Sequence, residues 1–369
     1  MEPFKEKLSC QNALRIATTL TRVYPEFPAV TFRRGLAEAL APLELKQRMH
    51  LLADRIEACL PLAPPELFPL LIRTLARDEA DTHGLRGFVV WPLTEVVARR
   101  GQDFFDDAMP ALREMTSRFT SEFAIRPFLR SHLQRTLRQL AEWCSHPDPH
   151  VRRLVSEGSR PLLPWGERLP EIMAQPALTL GLLERLHTDS SPYVRLSVAN
   201  HLNDFSKSHP TFVVETLARW QNQSPNYPHF PKLTRHACRT LIKQGHPAAL
   251  AFHGYGNADS LELTACTLAD ATISLGGSLG YQMIVKNQSR QEVRILFDYA
   301  ILHRKANGTL TPKVFKGRTR ILAAGGSMTI IGKHSFKPVT TRVYHEGAHH
   351  FEPRLNGKIF PSIEFHLKL

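Results

Sequence analysis

The chain has 369 residues, 43% of them hydrophobic and 22% charged, a composition that excludes a disordered or collagen-like polymer and leaves room for two domains with their own cores. No apolar run approaches the ~18 residues of a membrane-spanning helix, and the opening MEPFKEKLSCQ lacks the apolar core of a secretory signal, so a cytoplasmic protein is expected. Lys and Arg number 47 against 34 Asp and Glu, a net charge of +13 with a pI near 9.8; such a surplus favours polyanionic partners, nucleic acid first, with a merely soluble basic protein as the plain alternative.

Residues 1–256 read as helix after helix, without the clean alternation of a strand. Leu45–Leu60 keeps apolar residues at helical spacing, and Pro61, Pro64 and Pro65 close it. Phe68–Leu75 and Val89–Val97 behave alike, with Pro or Gly loops between them. The stretch TSRFTSEFAIRPFL (116–129) is less ordinary. Phe119, Phe123, Ala124, Phe128 and Leu129 require burial, yet Glu122 and Arg126 lie among them and Pro127 follows. Either Glu122 and Arg126 form an i,i+4 surface pair, or the carboxylate is aimed at something.

An internal repeat follows. HPDPHVRRLVSEGSRPLL (146–163) and residues 189–206, which end in SPYVRLSVANHLNDFS, superpose at a spacing of 43; that offset takes Pro149 to Pro192, Val151 to Val194, Arg152 to Arg195 and Val155 to Val198. PKLTRHACRTLIKQG (231–245) repeats the Arg-bearing helix more weakly. A two-helix unit of ~40–47 residues is the HEAT period, whose neighbours stack to bury their apolar stripes. Pro149 and Pro192 suit the first turn of each repeat helix.

From residue 257 the texture changes. GYGNADSLEL reads as a linker into short β-type runs at Leu261–Leu268, Tyr281–Val285, Val293–Leu302, Met328–Ile331, Thr341–Tyr344 and Ser362–Leu367, with Gly-rich turn signals between them. Strands at this density predict an Ig-like antiparallel sandwich over residues 257–369, a small barrel being the competing shape. The fold class is thus multi-domain, an all-α HEAT-like solenoid followed by an all-β sandwich. Residues 260–369 hold 15 Lys and Arg against 7 Asp and Glu, so most of the basic excess sits on the smaller domain.

Arg153, Glu157 and Arg160 fall at i, i+4, i+7, and Arg235, Arg239 and Lys243 at i, i+4, i+8 with no acid among them. Such rows are either solvated helix faces or a stripe that tracks phosphates along the stack. Glu122, Glu157 and Asp204 sit in or beside these basic helices, where a bridge to a nearby Arg, worth under ~1 kcal/mol at the surface, is the plain reading of each. Trp165, after Pro164 at a Gly turn, either caps core packing or meets a ligand; Trp91, Trp143 and Trp220 have core spacing. The five cysteines are far apart and read as reduced thiols. HEGAHH (345–350) is a weak metal motif, so neither metal nor cofactor is expected.

TSRFTSEFAIRPFL, HPDPHVRRLVSEGSRPLLPW and SPYVRLSVANHLNDFSKSHP together resemble the AlkC-type DNA glycosylases of the DNA alkylation repair family. NGTLTPKVFK and RVYHEGAHHFEPRLNGK resemble the variant with an appended Ig-like domain, and the similarity runs over nearly the whole chain. The resemblance implies hydrolysis of the N-glycosidic bond of cationic N3-alkylated bases, 3-methyladenine and 3-methylcytosine, in double-stranded DNA, without base flipping and by a monomer. It also implies Glu157 and Asp204 at the sugar or water, Glu122 in support, and Trp165 on the deoxyribose. Arg126, Arg152, Arg153, Arg160, Arg195, Arg235, Arg239 and Lys243 would then hold phosphates around the acids, with Lys313, Lys316, Arg318 and Arg320 gripping the duplex from the sandwich. The alternative is a HEAT scaffold that binds nucleic acid without chemistry.

Overall fold

The structure, a computed structural model, describes residues 3–340 and 342–369. Two compact units form, Met1–Ser208 with Tyr227–Ala237, and His209–Asn226 with Cys238–Leu369. The first is helical, its only strand-like pairing among the described residues being an isolated bridge between Leu75 and Leu85. The helix expected over Leu45–Leu60 spans Leu45–Cys59 and opens with a capping box between Glu44 and Gln47.

Pro149–Gly158 and Pro192–Phe205 begin with their prolines in the first turn, where a missing N–H leaves no orphan. Asp148 caps the first by accepting from the His150 amide at 2.8 Å, and Asp189 accepts from the Ser191 amide at 2.8 Å at the second. Val151, Leu154 and Val155 of the first and Val194, Val198 and Leu202 of the second are fully buried. The three repeat helices, ending with Phe230–Ala237, pack side by side in chain order. This is the stacking that a HEAT-type period requires.

The second unit contains a sandwich of two sheets, which excludes the barrel. β1 (Leu261–Leu268), β3 (Ser278–Asn287) and β6 (Ser327–Ser335) form the smaller sheet in the order β1-β3-β6. β2 (Thr272–Ser274), β9 (Ile363–Lys368), β7 (Gly347–Leu355), β4 (Val293–Arg304) and β5 (Leu310–Leu322) form the larger in that order, with β8 (Lys358–Ile359) paired to β7. All pairings are antiparallel except β2 with β9. Tyr281, Met283, Phe297, Tyr299, Phe351 and Phe365 fill the space between the sheets.

The strand expected at Leu261–Leu268 appears with those ends and four others with shifted ends, whereas the one expected at Thr341–Tyr344 begins outside the described residues; Arg342 makes only an isolated bridge to Val339. β5 and β7 were not foreseen. β5 is largely exposed and carries Pro312, Gly317 and four cations, so it lacks an alternating apolar signal. HEGAHH, the weak metal motif, runs into β7, with His349 fully buried.

Helices Pro210–Gln223, Arg239–Gln244 and Pro247–Phe252 cluster with these strands. Leu250 and Tyr255 pack on Leu296 of β4, and the Asn356 amide donates to the Gly256 carbonyl at 2.8 Å. Gly245 and Gly357, at φ 73° and 83°, lie back to back, and a Cβ on either would fall 2.3–2.4 Å from the other's Cα. Only glycine satisfies both the left-handed turn and this approach.

Candidate active site

The stretch 116–129 is not one helix. Helix Phe105–Thr116 stops, the chain turns, and helix Arg126–Ser131 starts with Pro127 in its first turn. Phe119 and Phe123 hold the turn against Trp91, with ring centroids 6.0 and 5.1 Å away, and Ser121 Oγ donates to the Leu112 carbonyl at 2.7 Å. Glu122 therefore projects from an aromatic-clamped turn. The i,i+4 pair with Arg126 does not form. Thr120 Oγ1 donates to Glu122 Oε2 at 2.8 Å, and Arg153 Nη1 pairs with the same oxygen.

From Glu122 an alternating line of charge crosses two repeat helices. Arg153 reaches Glu157 Oε1 at 3.4 Å, Arg160 Nη1 donates to that oxygen at 2.7 Å, and Arg160 Nε and Nη2 each reach Asp204 at 3.0 Å. Ser197 Oγ donates to Glu157 Oε2 at 2.6 Å, and the Leu162 amide donates to Asp204 Oδ2 at 3.3 Å. Glu157 and Asp204 are only 6% and 7% exposed. Burial acts to raise the Glu157 pKa, but the charges of Arg153 and Arg160, with the Ser197 hydroxyl, outweigh it and hold the carboxyl below its ordinary value. Three acids that repel one another in isolation are thus gathered by two guanidiniums.

Arg126 is corrected from phosphate ligand to structural anchor. It is fully buried, and its guanidinium donates to the carbonyls of Gly158 and Arg160 at 2.8 Å and to that of Glu167 at 2.7 Å through Nε. It ties down the segment that carries Arg160 and Trp165. Gly166 packs closely there: a Cβ would fall 3.0 Å from the Leu163 side chain and 3.2 Å from Arg126 Nε, so either would have to give by a few tenths of an ångström. Trp165 itself is 59% exposed at φ 64°. Its carbonyl accepts from Lys46, and its ring meets Phe4 edge-on at 6.3 Å. It stands on the anchored segment and not in the line of ion pairs.

The phosphate stripe needs the same correction elsewhere. Arg152 donates to the carbonyls of His146 and Pro147 and grips Asp189 at 2.6 and 3.0 Å. Arg195 donates to the carbonyls of Asp189 and Ser190, the same six- and five-residue reach. The recurrent arginine therefore fastens each repeat's own entry turn. Arg153 and Arg160 are engaged by the acids. Arg235, Arg239 and Lys243 do not form one helical row, because Phe230–Ala237 ends before Arg239–Gln244 begins; Arg235 and Lys243 are exposed. On β5, Lys313, Lys316, Arg318 and Arg320 are all exposed to solvent.

Thr120, Tyr193 and Ser197 join the site without having been expected. Tyr193 lies under the Arg153 guanidinium at 5.1 Å. The seven-residue spacing of Ser197 and Asp204, two turns of one helix face, is the signal that would have found Ser197.

Residues 262–369 match the family described as "Uncharacterised protein YhaZ, C-terminal Ig-like domain". The chain is 37% identical over 344 residues to the Bacillus subtilis (strain 168) protein described as uncharacterized protein YhaZ, covering 93% of each. Among solved structures it is similar to the Pseudomonas fluorescens alkylpurine DNA glycosylase AlkC bound to DNA containing an abasic site analog, with 36% identity, 100% of both chains covered and a TM-score of 0.89. With a match over its whole length at this identity and a matching C-terminal domain, the chain belongs to the family of the AlkC-type DNA glycosylases that join HEAT-like repeats to a C-terminal Ig-like domain.

Proposed function

We propose that this protein is a DNA glycosylase that hydrolyses the N-glycosidic bond of cationic N3-alkylated bases, 3-methyladenine and 3-methylcytosine, in duplex DNA, working as a monomer in the cytoplasm. The observation that carries the reading is the buried run of three carboxylates and two guanidiniums across successive helical segments. DNA as the partner is supported by the similar Pseudomonas enzyme, which is bound to DNA with an abasic site analog.

An N3-alkylated base already carries positive charge. When its bond to C1′ breaks, the electron pair goes to the base, which leaves neutral without a general acid. The remaining barrier is the oxocarbenium-like sugar, as in other glycoside cleavage. Glu157 and Asp204 supply fixed negative charge against that cation. Water then adds to C1′ and gives its proton to a carboxylate. Glu122 suits that step, because Thr120 and Arg153 occupy Oε2 while no group among the described residues donates to Oε1. The exposed Trp165 offers its face to the sugar, worth about 1–2 kcal/mol when desolvated. Selection then rests on the lesion's own charge and lability, with the base left in the duplex.

The test is release of free 3-methyladenine and 3-methylcytosine from methylated duplex DNA, with Glu122→Gln, Glu157→Gln and Asp204→Asn alongside. Turnover is expected to fall by about 10²–10³ in each variant while duplex binding persists. One observation favours a second reading, a DNA-binding scaffold: Arg160 engages both oxygens of Asp204, as a structural ion pair would. Absence of base release by the parent protein, with duplex binding intact, would decide for the scaffold.

A further inference from the structure

Trp165 is the one tryptophan that the fold leaves in the open: it is 59% exposed, against 2, 5 and 0% for Trp91, Trp143 and Trp220. Its backbone is set by the left-handed φ of 64° and by Lys46, which donates to its carbonyl. Its side chain has less support. Among the described residues a single aromatic ring reaches the indole, that of Phe4, at a centroid distance of 6.3 Å and an interplanar angle of 79°. Phe4 is itself 58% exposed. A lone exposed phenylalanine needs no explanation, so its exposure marks nothing by itself.

What separates Phe4 from a scattered surface ring is the segment that carries it. Phe4–Leu8 is a short 3-10 helix whose far end, Leu8, is fully buried. Arg48, only 5% exposed, donates to the carbonyls of Lys5 and Leu43 at 3.0 Å each and lies 3.3 Å from the Glu6 carboxylate. Lys5 pairs with Glu44 at 2.8 Å, and the Asn12 amide donates to the carbonyls of Glu6 and Lys7 at 3.3 and 3.2 Å. A buried guanidinium committed to main-chain carbonyls is costly to detach. It fastens the segment to helix Leu45–Cys59, which also supplies Lys46. The main chain beside Phe4 is therefore fixed, while the ring itself stays out of the core.

Ring contacts continue on the other side of Phe4. It meets Phe88 at 6.3 Å, Phe88 meets Phe119 at 5.0 Å and Trp91 at 6.3 Å, and Trp91 stacks on Phe123 at 5.1 Å. Phe119 and Phe123 are the residues that clamp the turn of Glu122. One line of aromatic contacts thus runs from that turn to the indole, and Phe4 is the rung that completes it. A perpendicular ring at this distance favours one orientation of its partner.

We propose that Phe4 is a positioning residue for the glycosylase reaction: it fixes the plane of the Trp165 indole in the pose that meets the sugar. The proposal rests on the reading of Trp165 as the sugar-facing ring. Phe4 touches no reacting atom and acts through the indole alone. An exposed tryptophan without a neighbour would have its side-chain rotations frozen only as the transition state forms, and that ordering would count against the rate. A ring already held by Phe4 escapes this cost. Because the attraction is for the positive charge that develops on the sugar, its loss appears in kcat and not in KM.

The full chain is compared with Phe4→Leu, Phe4→Tyr and, as a control, Val30→Ala, which trims another exposed apolar residue of the helical unit. Base release from methylated duplex DNA gives kcat and KM. Iodide quenching of tryptophan fluorescence at fixed ionic strength reports Trp165, since the other three indoles are buried. Phe4→Leu is expected to lower kcat about tenfold with KM unchanged and to raise the quenching constant. Phe4→Tyr keeps the ring and restores both, and Val30→Ala moves neither. In a Trp165→Gly background Phe4→Leu lowers kcat no further, because the residue it acts through is gone. A parental kcat in Phe4→Leu, a raised quenching constant without loss of kcat, or an equal loss in Val30→Ala would overturn the proposal. A parent protein that releases no base removes the catalytic reading instead. Quenching then decides alone whether Phe4 fixes the indole, and an unchanged constant refutes it.

Discussion

Arg126→Met separates an anchor from a phosphate clamp. In the folded protein the guanidinium satisfies three main-chain carbonyls in a fully buried position. Methionine fills comparable volume but donates nothing, so each carbonyl left without a partner costs about 1–3 kcal/mol, on the order of 3–9 kcal/mol together. Against this, burial pushes the Arg126 pKa down to about 10, a dehydration penalty on the order of 3 kcal/mol that a neutral side chain does not carry. The net expectation is a loss of about 3 kcal/mol, taken near the lower half of that range because the segment 158–167 relaxes and admits water. For a unit of roughly 200 residues this lowers Tm by about 6–12 °C. Calorimetry and salt-dependent binding to undamaged duplex DNA check it together. An unchanged Tm with a salt slope reduced by about 0.9 would show a residue that holds phosphate, and the structural assignment would be wrong.

Arg160→Gln leaves the buried Asp204 without its guanidinium and Glu157 with Arg153 and Ser197 alone, so urea unfolding is expected to show about 3–5 kcal/mol lost; combining it with Asp204→Asn should recover part of that, and simple additivity would contradict the coupling. Trp165→Gly relieves a left-handed residue at φ 64°, so stability should hold or rise by about 1 kcal/mol while base release falls; a Tm lowered by several degrees would mean that the indole is a packing residue. His201 is fully buried, and burial pushes its pKa down to about 3, with Nδ1 on the Ser156 carbonyl and Nε2 on Thr179 Oγ1. Its folded pKa lies below the unfolded value of about 6.5, so its contribution is complete above that pH and is lost as pH falls towards 3, by about 1.4 kcal/mol per unit; a His201→Gln protein whose stability keeps the same pH slope would refute this.

The repeat was legible because Pro149 and Pro192 mark helix starts and the apolar stripe recurs with them, both consequences of backbone geometry that residue type alone encodes. The three acids were visible as misplaced charge among apolar or basic neighbours. Their connection was not, because the order Glu122, Arg153, Glu157, Arg160, Asp204 exists only after neighbouring segments stack. Arginine was the least readable residue. A guanidinium offers the same donors to a phosphate, a carboxylate or a carbonyl, and only the folded chain's hydrogen bonds show that Arg126, Arg152 and Arg195 fasten the chain to itself. β5 was missed for a related reason, since an edge strand owes its pairing to β4 and not to an apolar face of its own.

The paired glycines have a consequence for how the sandwich can be inherited or transplanted. Gly245 and Gly357 interlock with no side chains between them, and Leu250, Tyr255 and Gly256 complete the same seam against Leu296 and Asn356. A gene fragment that began at the Gly/Asn-rich stretch near residue 257 would strip this seam and leave Leu296 and the Asn356 amide facing water. Recombination that preserves the module must therefore carry the short helices upstream of the first strand along with it. Drift at either glycine is likewise closed off unless both backbones move together, so the two turns are bound to a shared history although more than a hundred residues separate them.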